Sequence, residues 1–98
     1  MLCMTYFELG DNVNLKKMIE KAAEIMQKGM YPPEGIKLVA NYISAGGQWG
    51  VTVYEAESEE AAYKEANVWR VHTPGFFKLI KQTVAVTVED AMKFTFEL

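Results

Sequence analysis

The sequence predicts an α+β sandwich with the chain order βαββαβ, and three observations carry that prediction. Four short runs rich in aromatic and β-branched residues are interspersed with two helical patterns. The diglycine Gly46-Gly47 lies between the second and third runs, where a tight hairpin needs positive φ. The chain has 98 residues, half of them hydrophobic, which suffices for one core and a single domain, 1–98.

The first strand spans residues 2–9, where Leu2, Met4 and Tyr6 alternate with Cys3, Thr5 and Phe7. Gly10-Asp11-Asn12 breaks it. Asn12 or Asn14 then offers a short side-chain oxygen to the free N–H groups of a helix start. Leu15, Met18, Ile19, Ala22, Ile25 and Met26 recur at helical spacing opposite a charged face, with Gly29 as the residue just beyond the helix. Pro32 and Pro33 stiffen the connection to a second strand over residues 36–45. The third strand returns over residues 48–55.

Ser58, followed by Glu59 and Glu60, marks the second helix start, with carboxylates at the positive end of the dipole. Ala62, Ala66 and Trp69 form its apolar stripe, and Thr73-Pro74-Gly75 ends it. Residues 76–86 read as the fourth strand. Thr87-Val88-Glu89-Asp90 resembles a capping box with Asp in the Glu position, predicting a short terminal helix over residues 88–94.

Charge and composition exclude several functions. Ten Lys and Arg stand against 13 Asp and Glu, a net charge of −3, and the basic residues are scattered. A nucleic-acid backbone demands clustered cations, so no nucleic-acid partner is expected. Cys3 is the sole cysteine, which rules out an intrachain disulfide and suits a reducing cytosol. The apolar start lacks a basic leader region and stops at Glu8 and Asp11, so it does not read as a signal peptide. No run approaches the roughly 18 apolar residues of a membrane span. The expectation is a soluble cytoplasmic protein without a membrane partner.

The order βαββαβ is that of the ferredoxin-like, split βαβ arrangement. Right-handed crossovers put both long helices on one face of a four-stranded sheet and leave the other face uncovered in a lone chain. Leu2, Met4 and Tyr6, with Ile36, Leu38, Ala40 and Tyr42 and with Trp49, Val51 and Val53, form an almost purely apolar set. This set is expected on the helix side. Cys3, Thr5 and Phe7, with Val39, Asn41 and Ile43 and with Gln48, Thr52 and Tyr54, are expected on the open side. Only Lys37 and Lys78 bring charge to that second set, too little for a face that meets water. Burial against a partner, with a cavity between, is the expectation.

Among chemistry-bearing residues, Thr5, Phe7, Asn41, Thr52 and Tyr54 form the candidate ligand-binding set; hydrogen bonding across a sheet interface is the plainer account of their polar groups. His72, the only histidine, sits near a helix end, where the dipole stabilises a cation. As a general base or haem ligand it has no identifiable acid partner, so His72 and Tyr54 are weak catalytic candidates. Cys3 reads as core filler. Glu55, Glu57, Glu59 and Glu60 read as a solvated face rather than a metal site, so neither metal nor cofactor is expected.

Pro33-Glu34-Gly35, Gly46-Gly47, Ser58-Glu59-Glu60 and Thr87-Val88-Glu89-Asp90-Ala91, in this element order, resemble the dimeric α+β-barrel superfamily over the whole length. The chain is similar in particular to its small GYD-like and other uncharacterised members. The resemblance implies two ferredoxin-like subunits packed sheet to sheet, with a pocket between sheet and helices or between sheets. The residues that carry it are turn and cap chemistry, so they speak to fold and not to reaction. The leading expectation is a homodimer, or a higher homo-oligomer, that holds a small apolar ligand and has no catalytic motif. The alternative is a cofactor-free monooxygenase or isomerase acting on a small enolic or phenolic substrate. A single-stranded RNA module shares the strand order, but the Trp49 strand lacks the Arg and Lys such a module uses.

Overall fold

The computed structural model describes residues 1–98. Three helices start on side chains that replace missing backbone acceptors. Asn14 Oδ1 accepts from the Lys17 N–H at 3.1 Å and opens α1 (Leu15–Gln27). Ser58 Oγ accepts from Ala61 N at 3.1 Å ahead of α2 (Glu59–His72), and Thr87 Oγ1 from Asp90 N at 3.0 Å ahead of α3 (Val88–Phe96). Helix α1 closes with Gly29 at φ 74°, the Met30 N–H reaching back to Ile25 O and the Gly29 N–H to Met26 O. That double bond pattern is a Schellman motif.

Strands β1 (Leu2–Leu9), β2 (Ile36–Ile43), β3 (Trp49–Ala56) and β4 (Phe77–Val84) form one antiparallel sheet in the order β2-β3-β1-β4. The order of elements, the four-stranded sheet and the short third helix agree with the ferredoxin-like expectation. Strands β2 and β4 are shorter than predicted, and α3 runs to Phe96. In the hairpin only Gly47 takes positive φ, at 73°, because the turn spans 44–48 rather than two glycines. No helix is long and apolar enough to cross a membrane.

The predicted sidedness of the sheet is reversed. Cys3, Thr5, Thr52 and Tyr54 are buried beneath the helices, whereas Met4, Tyr42 and Trp49 of the apolar set are exposed on the uncovered face. Only Ile36 and Leu38 of that set lie on the helix side, against the core of Cys3, Tyr54, Ala56 and Ala62. Two causes combine. Strand β2 carries a bulge, Leu38 pairing with Tyr54 but Ala40 with Val53, which flips the alternation halfway along. Helix α2, moreover, brings a carboxylate to the sheet, so the polar set finds its partners under the helices.

Across the helix side, Ile43, Gly50, Phe7 and Ile80 stand in one row. A Cβ at Gly50 would strike the Phe7 ring and lie 2.5 Å from the Tyr42 carbonyl oxygen. The bare backbone lets that ring lie over β3 and meet Phe77 edge-on, centroids 5.5 Å apart. Gly50→Ala is expected to lower stability by about 1–3 kcal/mol through overpacking. In a chain of this size that amounts to a melting-point drop of roughly 4–8 °C per kcal/mol, read by thermal denaturation.

Candidate functional site

One rung beyond Phe7, the covered face carries a polar row across all four strands: Asn41, Thr52, Thr5 and Gln82. Such a row is tolerable under helices only if each group is bonded. Thr52 Oγ1 donates to Asn41 Oδ1 at 3.1 Å. Thr5 Oγ1 donates to Glu65 Oε1 at 2.5 Å. Because a threonine hydroxyl has one proton, the 3.0 Å contact between Thr5 Oγ1 and the Tyr54 hydroxyl must be donated by Tyr54. Tyr54 in turn accepts from Gln82 Nε2 at 2.5 Å, and the same amide donates to the Ala62 carbonyl. The chain Gln82–Tyr54–Thr5 therefore donates in one direction, toward Glu65.

Glu65 reaches the sheet because α2 packs through small residues: Ala61, Ala62 and Ala66 are all buried. Its carboxylate is 1% exposed. The Tyr31 hydroxyl donates to Oε2 at 2.6 Å, so each carboxylate oxygen holds one neutral donor. None of the ion pairs in the molecule includes Glu65. No buried side-chain nitrogen or oxygen lacks a partner. Tyr31, in the connection after α1, precedes a cis proline and tilts its ring against Trp69 of α2, centroids 4.8 Å apart.

Burial, reinforced by the neighbouring Glu65 charge, pushes the Tyr31 phenol well above its ordinary range. Burial likewise pushes Tyr54 up to about 12, with the Thr5 hydrogen bond pulling the other way and the Glu65 charge adding to the rise.

Beside this network a cavity of about 250 Å³ opens between the sheet and α1. Thr5, Thr52, Asn41 and Glu65 supply polar groups to its wall. Leu15, Met18, Ile19, Ala22 and Met26 of α1, with Phe7, Leu9, Phe77 and Ile80 of the sheet, make the rest largely apolar. Leu15, Ile19 and Met26 keep 41–54% of their surface exposed, so α1 covers the cavity loosely.

Four of the predicted ligand-binding residues, Thr5, Phe7, Asn41 and Thr52, line this cavity. Tyr54 does not line it but hydrogen bonds to Thr5 directly behind its wall. His72 is exposed at the end of α2, outside the cavity. Cys3 is buried in the core, where burial raises its thiol pKa. No group of three or more His, Cys, Asp and Glu residues stands together as metal ligands would. Glu65, Tyr31 and Gln82 were not predicted. Glu65 had a signal, since it falls four residues after Ala61 and four before Trp69, within the apolar stripe of α2; Tyr31 and Gln82 had none.

Two measurements check the network. Glu65→Gln places an amide NH₂ against a donor, so stability should fall by about 1–3 kcal/mol in urea unfolding. The second concerns alkaline pH. The folded chain holds the Tyr54 proton up to about pH 12, while the unfolded chain releases it near about pH 10. The native state therefore binds more protons in that window, and stability falls with rising pH. The Tyr54 contribution is intact below about pH 10 and is lost on approaching about 12. Urea midpoints should decline across this range, less steeply for Tyr54→Phe than for the wild type.

Over residues 1–97 the chain matches the family model described as a domain of unknown function, DUF3303. No curated protein and no solved structure matches it.

Proposed function

We propose that this chain, which belongs to the DUF3303 family, works as a sheet-to-sheet homodimer in the cytoplasm, each subunit holding a small apolar ligand between sheet and helices. The reading follows the dimeric α+β-barrel superfamily and the GYD-like members the chain resembles. The observation that carries it is the uncovered face of the sheet. Its central rows are Ala40, Val53, Met4 and Thr83, then Tyr42, Val51, Tyr6 and Lys81. The one charge in those rows, Lys81, is on edge strand β4, and the other charges of the face, Glu8, Lys37 and Glu55, stand in the rows at its ends. Tyr42 is 71% and Trp49 46% exposed, an apolar surface that water does not favour.

The size of that surface is close to what association needs. Four strands of eight residues present a footprint of roughly 19 by 26 Å, from the usual strand spacing and rise. Stable interfaces cover roughly 800 Å² per partner, more than such a footprint provides alone. Helix α3 can add the remainder. None of its residues is buried, and Met92, Phe94 and Phe96 are exposed. A second copy would cover both.

A second reading, a cofactor-free monooxygenase or isomerase for a small enolic or phenolic substrate, draws on the Glu65 carboxylate as a buried proton acceptor at an apolar cavity. Turnover of enolisable compounds that is lost in Glu65→Gln would favour it over simple binding.

The dimer is tested by sedimentation at micromolar concentration. The expected mass is twice 11.1 kDa, and Val53→Lys, which puts a charge in the middle of the face, should sediment as a folded monomer. A wild-type chain that is monomeric under these conditions would refute the paired arrangement.

A further inference from the structure

We infer that the ligand of this cavity is a small hydrophobic amine in its protonated form, its ammonium group seated against Glu65. The inference rests on the ligand-holding part of the function proposed above and is independent of the dimer.

Glu65 carries it. The side chain is 1% exposed, lines the cavity, and accepts one hydroxyl on each oxygen. Accepting on both oxygens is the bonding pattern of a charged carboxylate, and a carboxylate oxygen has lone-pair capacity for a second donor. No lysine, arginine or histidine lines the cavity, and none pairs with Glu65 elsewhere. A buried charge without a counter-ion is costly, and its natural complement is a cation. An ammonium supplies the missing charge and further donors to the carboxylate.

The surroundings suit the rest of such a molecule. Tyr31 and Trp69, tilted against each other with centroids 4.8 Å apart, both border the cavity near Glu65, and aromatic faces attract an organic cation. Met18, Ile19 and Ala22 on the α1 side, with Ile80 on the sheet, offer only hydrocarbon to a ring or short alkyl chain. At about 250 Å³ the space is small for a drug-sized ligand. An anion would meet the Glu65 charge with nothing to offset it.

Calorimetric titration of the wild-type protein with three compounds of similar shape tests the assignment: 2-phenylethylamine, the neutral 2-phenylethanol and the anionic 3-phenylpropanoate. The amine is expected to bind one per chain and about tenfold or more tighter than the alcohol, the difference of a charge-assisted hydrogen bond. The anion should not bind. In Glu65→Gln the amine should fall to the level of the alcohol. Should that variant fail to fold, the wild-type comparison decides by itself. Alcohol binding as tightly as the amine would overturn the cation assignment while leaving the pocket reading in place. Failure of all three compounds to bind would overturn both.

Discussion

The carboxylate of Glu65 ties together three parts of the chain that are far apart in sequence. It takes the Thr5 hydroxyl from the central strand β1 and the Tyr31 hydroxyl from the connection after α1, while itself belonging to α2. A carboxylate in that position tolerates no apolar neighbour on either oxygen, so the sheet beneath it must offer donors. This is why Thr5 faces the helices, with Tyr54 and Gln82 continuing the chain of donors behind it. It is also why α2 approaches through alanines, since bulkier side chains would hold the carboxylate away from the strand.

That arrangement decides the character of both faces. The uncharged polar groups Thr5, Asn41, Thr52, Tyr54 and Gln82 are bonded under the helices, and the middle of the other side is mainly Met, Tyr and Val, with Glu8, Lys37 and Glu55 toward its ends. In many antiparallel sheets the buried face is apolar and the wet face polar. Here the covered face carries a row of bonded polar groups, while the middle rows of the uncovered one are mostly apolar. Such a sheet exposes large side chains to water as a lone chain, Tyr42 and Trp49 among them.

The cavity follows from the same network. Glu65 and its partners hold α2 close to the sheet, while α1 has no comparable anchor. Its buried residues are Met18 and Ile25, and the remainder of its apolar stripe overhangs the space beside the polar row. Phe7, flattened over Gly50, forms part of the wall. A rigid polar wall facing a loosely packed apolar helix gives a site with fixed hydrogen-bonding groups and an adaptable hydrocarbon side.

Local chemistry was enough to read the element order, the capping residues Ser58 and Thr87, the first cap to within Asn12 or Asn14, and the Gly29 terminus, because each depends on residues within a few positions of one another. The polar constellation Thr5, Asn41, Thr52 and Tyr54 was likewise visible, as uncharged polar groups at alternate strand positions. Which face it occupied was not. Alternation sorts a strand into two sets without saying which one meets the helices, and the bulge in β2 exchanges the sets within a single strand. Tyr31 and Gln82 were hidden, and the position of Glu65 in the α2 stripe did not reveal its partners, for a related reason. Glu65 lies 60 residues from Thr5 and 34 from Tyr31, and Gln82 lies 28 from Tyr54. Only the packing of α2 against the sheet brings them together, and only burial turns an ordinary helical glutamate into the charge around which the covered face is organised.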